Sequence, residues 1–234
     1  MTPAVLFLHG AGAGGWEWNV WRAVFEAAGL ATAAPDLQPA ASGLAHTTLD
    51  DYAAQARAAL QALPRPRVLV GASLGGLLAA MCAHEADALV LVNPLPPAPW
   101  HEELPPRAWP AIVPWRHEVR LASTRRALPD ADEATALYAF RHWRDESGRV
   151  LGTAHAGVAI ERPSCPLLCM TSTVDDDVPP AVTAALAAAW GADLLRSPAI
   201  SHVGPLLGRD AAAAAQQALA WCRGSKKPAN VISS

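Results

Sequence analysis

Short β-type apolar runs alternate along the chain with longer, alanine-rich runs of helical length. Strands are predicted at Ala4–Leu8, Ala31–Ala34, Arg67–Val70, Ala88–Val92, Leu167–Thr171 and Asp193–Arg196. Helices are predicted at Trp16–Ala28, Leu49–Leu63, Leu74–His84, Pro180–Trp190 and Leu206–Arg223. This alternation points to a mostly parallel sheet of about six strands with helices on both faces. Several strands are continuous apolar runs, as expected where both faces are covered.

Two segments break the rhythm. Residues 94–163 hold eight prolines between Pro94 and Pro114, four tryptophans and most of the arginines. A plain loop of that length is unusual, so an inserted lid with short helices is expected, one of them at Asp132–Trp143. The core then comprises 1–93 and 164–224. Residues 225–234 are polar and proline-broken, and are expected to form a frayed tail.

Composition narrows the function classes. The 234 residues fit one domain, and a hydrophobic fraction of 52% suffices for a large core. A net charge of -3 provides no electrostatic footprint for nucleic acid. Cys82, Cys165, Cys169 and Cys222 lack C-x-x-C spacing, so reduced thiols in a cytoplasmic protein are expected. The first apolar run ends in His9-Gly10 rather than a cleavage site and is read as a strand, not a signal peptide. No stretch is long and apolar enough to suggest a membrane span. A monomer or homodimer is expected.

Ligands of doubly wound sheets bind beyond the carboxyl ends of the strands. There the chain places His9-Gly10-Ala11-Gly12-Ala13-Gly14-Gly15, Ser73, Asn93, Asp175-Asp176-Asp177 and Ser201-His202. Gly71-Ala72-Ser73-Leu74-Gly75 lies between a strand and a helix and reads as a nucleophile elbow. A serine hydroxyl needs a base, the base needs a carboxylate to orient it, and the tetrahedral intermediate needs N–H donors. His202, after the last strand, is the best-placed base. Asp175 is favoured as the acid, being first after its strand, with Asp176 next; the amide of Asn93 cannot serve. The order Ser, Asp, His is that of nucleophile-elbow hydrolases.

The glycine loop has a rival reading. Gly10-x-Gly12-x-x-Gly15 with Asp36 after the next strand satisfies a dinucleotide fingerprint in form. Trp16 and Trp18 crowd the first helical turn, however, and His9 replaces an apolar strand residue. The glycines are instead expected to admit a reacting carbonyl oxygen close to the backbone.

With these residues placed, the chain resembles the α/β-hydrolase superfamily over nearly all its length. His9-Gly10, Pro35-Asp36-Leu37, the serine elbow, Asp175-x-x-Val178-Pro179 and Ser201-His202 match in order and spacing. Leu8 to Trp18 is similar to the plant methylesterase and hydroxynitrile lyase group, as is the near-immediate start on that strand. The resemblance implies an α/β-hydrolase fold with oxyanion donors at the backbone N–H groups of Ala11 and Leu74. The lyases carry threonine at Gly10 and lysine at Val203, so ester hydrolysis is favoured.

The expected activity is that of a carboxylesterase-like serine hydrolase, needing no cofactor or metal and cleaving a small-molecule ester through Ser73, His202 and Asp175. Lyase cleavage, thioester hydrolysis, acyl transfer, perhydrolysis and non-catalytic ligand binding are the alternatives on the same residues. In the lid, Trp100, Trp109, Trp115 and Trp143 are expected to offer apolar surface to the substrate.

Overall fold

The computed structural model describes residues 2–224, so the tail predicted over 225–234 lies outside the described residues. In chain order the elements are β1 (Ala4–Leu8), α1 (Asn19–Ala27), β2 (Ala31–Ala33), α2 (Leu49–Gln61), β3 (Arg67–Ala72), α3 (Leu74–Met81) and β4 (Ala88–Val92). Next come β5 (Ile112–Val113), α4 (Trp115–Glu118), α5 (Leu121–Ala127), α6 (Glu133–His142), β6 (Glu146–Ser147) and α7 (Gly148–His155). The chain finishes with β7 (Leu167–Thr171), α8 (Pro180–Trp190), β8 (Asp193–Arg196), α9 (Gly204–Leu207) and α10 (Ala211–Gly224).

Six strands form one parallel sheet in the order β2-β1-β3-β4-β7-β8. After β2 the chain crosses back over β1 to lay down β3. The gap beyond the carboxyl ends of β1 and β3 is therefore the topological switch point, where such sheets bind ligands. The register aligns Leu8 with Gly71, Ala72 with Val92, and Val92 with Met170, so the loops that follow open at one level.

Strand side chains alternate between two cores. Leu6, Leu8, Leu69, Leu89, Leu91 and Cys169 pack with α2, α3 and α8. Val5, Phe7, Val68, Val70, Val90 and Met170 pack with α1 and α10. Covering both faces explains why these strands read as unbroken apolar runs.

Local chemistry sets the helix ends. Thr48 and Asp51 form a capping box at the start of α2. Pro180 begins α8, and Gly191 in the left-handed region ends it. Three predicted helices differ by three or more residues at an end. The helix expected from Trp16 opens as a 3₁₀ turn, Gly15–Trp18, before α1. The one expected to reach His84 ends at Met81, and a 3₁₀ turn follows at Ala83–Glu85. The helix expected over Leu206–Arg223 is split, because Gly208 is extended and Arg209 N–H donates to the Asp130 carbonyl.

Between β4 and β7 the chain forms short helices and a two-stranded antiparallel pair, β5 with β6. The helix expected at Asp132–Trp143 is α6, with Asp132 as its N-cap accepting from Thr135 N–H. Val150 and Ala154 of α7 join the core under α2 and α3. Among the described residues no helix is long and apolar enough to cross a membrane.

Candidate active site

Ser73 occupies the sharp turn from β3 into α3, with φ 52° and ψ −122°. An L-residue rarely holds that conformation, and such strain concentrates at functional sites. The positions two before and two after it must be glycine. A Cβ on Gly71 would stand 2.1 Å from the Gly75 carbonyl oxygen, and one on Gly75 would stand 2.1 Å from that of Leu8. The elbow is held by Ser73 N–H donating to Val92 O, while Ser73 O accepts from Leu95 N–H.

His202 lies in the loop between β8 and α9. Its Nδ1 donates to Asp175 Oδ2 at 2.7 Å. The other Asp175 oxygen accepts the N–H groups of Asp177 and Val178, both at 2.9 Å, so the carboxylate is fully engaged. Asp175 is buried and Asp176 is exposed, and it is Asp175 that meets the imidazole. Burial of the His202 ring works against its charged form. The bond and charge of Asp175, with Asp177 and Glu17, more than offset this, so its pKa stands above the ordinary histidine value.

The serine and the histidine line one cavity of about 660 Å³ at the switch point, within the usual range of about 300–1,000 Å³ for ligand sites. Ala11 also lines it. Among the described residues, the N–H groups of Ala11 and Leu74 find no protein acceptor, so two backbone donors stand beside the elbow. Leu74 opens α3, whose N-terminus has no side-chain cap and favours negative charge.

Trp109, Trp115 and Trp143 line the cavity, and Trp109 meets Trp115 edge-on at 6.2 Å. Trp115 also lies over the glycine loop, where a Cβ on Gly12 would fall 2.2 Å from its ring. Trp100 is a correction. It is absent from the cavity wall and instead packs edge-on against Trp190 of α8, with ring centroids 6.0 Å apart. The 3₁₀ turn that carries it folds back onto the outer helix layer.

The remaining loop residues are structural. His9 is buried, which pushes its pKa down to about 4, so its ring is neutral. Its Nδ1–H donates to Gly10 O, and its Nε2 accepts Leu37 N–H. Asp36 accepts Gly15 N–H at 2.7 Å, which commits it to the loop rather than to a ribose hydroxyl. Asp175, Asp177 and His202 offer ligand atoms within 4.8 Å of one another, a grouping a cation could use. Here they are bonded among themselves and to Arg107, whose guanidinium meets Asp177 at 2.5 Å.

Four polar residues of this region carry no signal of their role in the sequence. Asn93 accepts Ser172 N–H and donates to both Ser172 Oγ and the His202 carbonyl. Asp130 accepts Ile200 N–H and the Ser201 hydroxyl, bracing the His202 loop from the segment between β4 and β7. Glu17 and Glu146 hold the glycine loop. Asn93, Asp130 and Glu146 come from elements distant in sequence from the groups they bind, and Glu17 reaches back seven residues to Gly10 across the loop, so no spacing pattern marks them.

A sequence model described as "Alpha/beta hydrolase family" matches residues 5–216. Several solved structures share the fold. Methylesterase MES16 from Arabidopsis superposes with a TM-score of 0.72 at 15% identity, covering 95% of this chain and 100% of that one. A pyrethroid hydrolase from Sphingobium faniae JZ-2 gives 0.74 at 21% identity, covering 98% and 99%. Tomato methylketone synthase I, as an H243A variant with β-ketoheptanoate, gives 0.75 at 14% identity, covering 97% and 100%. Among curated proteins none matches the sequence.

Proposed function

The chain belongs to the alpha/beta hydrolase family, and on that footing we propose that it is a serine hydrolase cleaving a carboxylic ester of a small molecule. Ser73 Oγ attacks the ester carbonyl as His202 takes its proton. Asp175 holds the imidazole in the tautomer with Nδ1 protonated and stabilises the imidazolium that forms. The Ala11 and Leu74 N–H groups receive the developing oxyanion. His202 then protonates the departing alcohol and activates water against the acyl-enzyme.

The observation that carries this reading is one cavity lined by a strained serine elbow, by a histidine bonded to a buried aspartate, and by Ala11, whose backbone N–H is unengaged, with the unengaged Leu74 N–H next to Ser73 in the elbow. We read residues 94–163 as a lid whose Trp109, Trp115 and Trp143 favour a substrate with a bulky apolar part. Gly10 and Val203 also line the cavity, and neither offers a hydroxyl or ammonium group, which favours hydrolysis over cyanohydrin cleavage. Pyrethroid hydrolases and a methylesterase among the structural neighbours support the ester class. The test is Ser73→Ala against short p-nitrophenyl esters. Loss of turnover is expected, and hydrolysis at the wild-type rate would overturn the assignment.

A further inference from the structure

Two buried carboxyl groups grip the glycine loop on either side of Ala11. Glu17, from the 3₁₀ turn before α1, accepts Gly10 N–H at 2.9 Å. Glu146, from β6, accepts Gly12 N–H at 3.0 Å. Glu146 is itself fixed by Tyr52 OH of α2 at 2.9 Å and Ser147 N–H at 2.7 Å. Arg144 completes the hold, its backbone N–H reaching Gly12 O at 2.7 Å. The N–H groups of residues 10 and 12 are thus taken, and the one between them is left for the cavity.

Burying a carboxyl costs several kcal/mol unless it is well bonded. Two of them on adjacent turns of one short loop call for a purpose. We propose that Glu17 and Glu146 are positioning residues that aim the Ala11 N–H at the oxyanion, and that Glu17 also sets the charge of the oxyanion site. This inference rests on the ester-hydrolysis reading above.

The two carboxyls differ in surroundings. Glu146 is saturated by its donors. Glu17 lines the cavity, and only Gly10 separates it from the nucleophile: a Cβ there would stand 3.4 Å from Ser73 Cβ and 3.6 Å from Glu17 Oε2. Burial pushes the Glu17 carboxyl up to about 7, against the pull of the Gly10 N–H. Its charge therefore changes across the neutral range, mostly protonated on the acid side and mostly ionised on the alkaline side. A neutral Glu17 tolerates an oxyanion next door, whereas a charged one repels it. The other groups facing the cavity are His202 from the loop before α9 and Asp176 and Asp177 from the loop after β7. Arg107, Glu118, Arg126 and His155 face it from the segment between β4 and β7.

The experiment has two stages on the full chain. A fluorophosphonate probe with peptide mapping first asks whether wild-type Ser73 is labelled; labelling elsewhere or nowhere would overturn the hydrolase reading together with the clamp. With Ser73 labelled, p-nitrophenyl acetate kinetics are compared from pH 5 to pH 9. Glu17→Gln keeps an oxygen acceptor for Gly10 N–H and is expected to hold kcat within about threefold at pH 6. It should also lose the decline of wild type above about pH 7. Glu17→Ala and Tyr52→Phe are expected to lower kcat with little change in KM, Glu17→Ala by about 10- to 100-fold, short of the 10²–10³ seen when an oxyanion donor is deleted outright. If Glu17→Ala and Tyr52→Phe both retain wild-type kcat, or if the Glu17→Gln pH profile superimposes on that of wild type, the clamp is refuted. Tyr52→Phe loosens Glu146 while leaving every buried carboxyl in place, so the test survives a Glu17→Ala protein that fails to fold.

Discussion

Asn93→Ala is expected to cost both stability and turnover, and the structure sets the size of each. The amide is 1% exposed. It makes three hydrogen bonds: Ser172 N–H to Oδ1 at 2.9 Å, and Nδ2 to Ser172 Oγ at 2.8 Å and to the His202 carbonyl at 2.6 Å. Each buried hydrogen bond contributes about 1 kcal/mol net, and leaving the Ser172 N–H buried without an acceptor costs about 1–3 kcal/mol. Asn93 also sits at φ 41°, where alanine costs about 1 kcal/mol more than asparagine. With the orphaned Ser172 N–H counted in place of that bond's own contribution, a loss of about 4–6 kcal/mol follows, or about 8–24 °C in Tm for a chain of this size. Because one bond ends on the His202 backbone, the imidazole should also drift from Ser73, and misplacement of about 1 Å costs about 10²-fold in rate. Urea denaturation measures the first effect and p-nitrophenyl ester kinetics the second. Ser172→Ala is the control. It removes a hydroxyl that touches the histidine loop only through Ser201 O, so it should lower stability while sparing turnover. An Asn93→Ala protein within 1 kcal/mol of wild type and within threefold in kcat would refute this account of how the base is held.

Asp175→Asn should lower kcat by about 10⁴-fold with KM and the circular dichroism spectrum unchanged, since the amide presents the wrong partner to Nδ1; a smaller loss than about tenfold would remove Asp175 from the mechanism. His202 must be neutral to act as base, so in a Glu17→Gln background kcat/KM should rise with pH through a midpoint above the ordinary 6.5; a midpoint below 6.5 contradicts the carboxylate environment. The same raised pKa is a stability statement: the imidazolium's contribution is complete below pH 6.5 and lost as pH rises through the folded value. The urea midpoint gap between the His202→Gln protein and its parent should therefore be wider at pH 5.5 than at pH 9. That comparison is made in a Glu17→Gln background, because Glu17 itself titrates between 4.5 and about 7. Gly75→Ala would drive a Cβ to 2.1 Å from Leu8 O and 2.5 Å from His9 O, costing about 1–3 kcal/mol or more; wild-type thermal stability and activity together would show that β1 yields.

Much of this molecule is written in local patterns. Four of the six main-sheet strands begin and end where the sequence pattern places them, β3 runs two residues longer, and β2 is one residue shorter. A strand buried on both faces must be a continuous apolar run, and a parallel sheet must alternate strands with helices. The serine elbow is equally local, because Gly71 and Gly75 answer to steric contacts within one turn of chain and with β1. Asp175, His202 and the glycine loop could be found because each follows a strand end.

What holds those groups in place follows no such rule. Asp175 is distinguished from Asp176 by burial and by two N–H bonds formed only once the loop has folded. Trp100 and Trp115 share composition and neighbourhood, yet one packs on α8 and the other covers Gly12. Asn93, Asp130, Glu17 and Glu146 reach their partners across as many as 134 residues of chain. Periodicity reports which face of an element is buried, since that is a property of neighbours in the chain. A hydrogen bond between loops depends on where the sheet brings them, and that is decided by the packing of the whole.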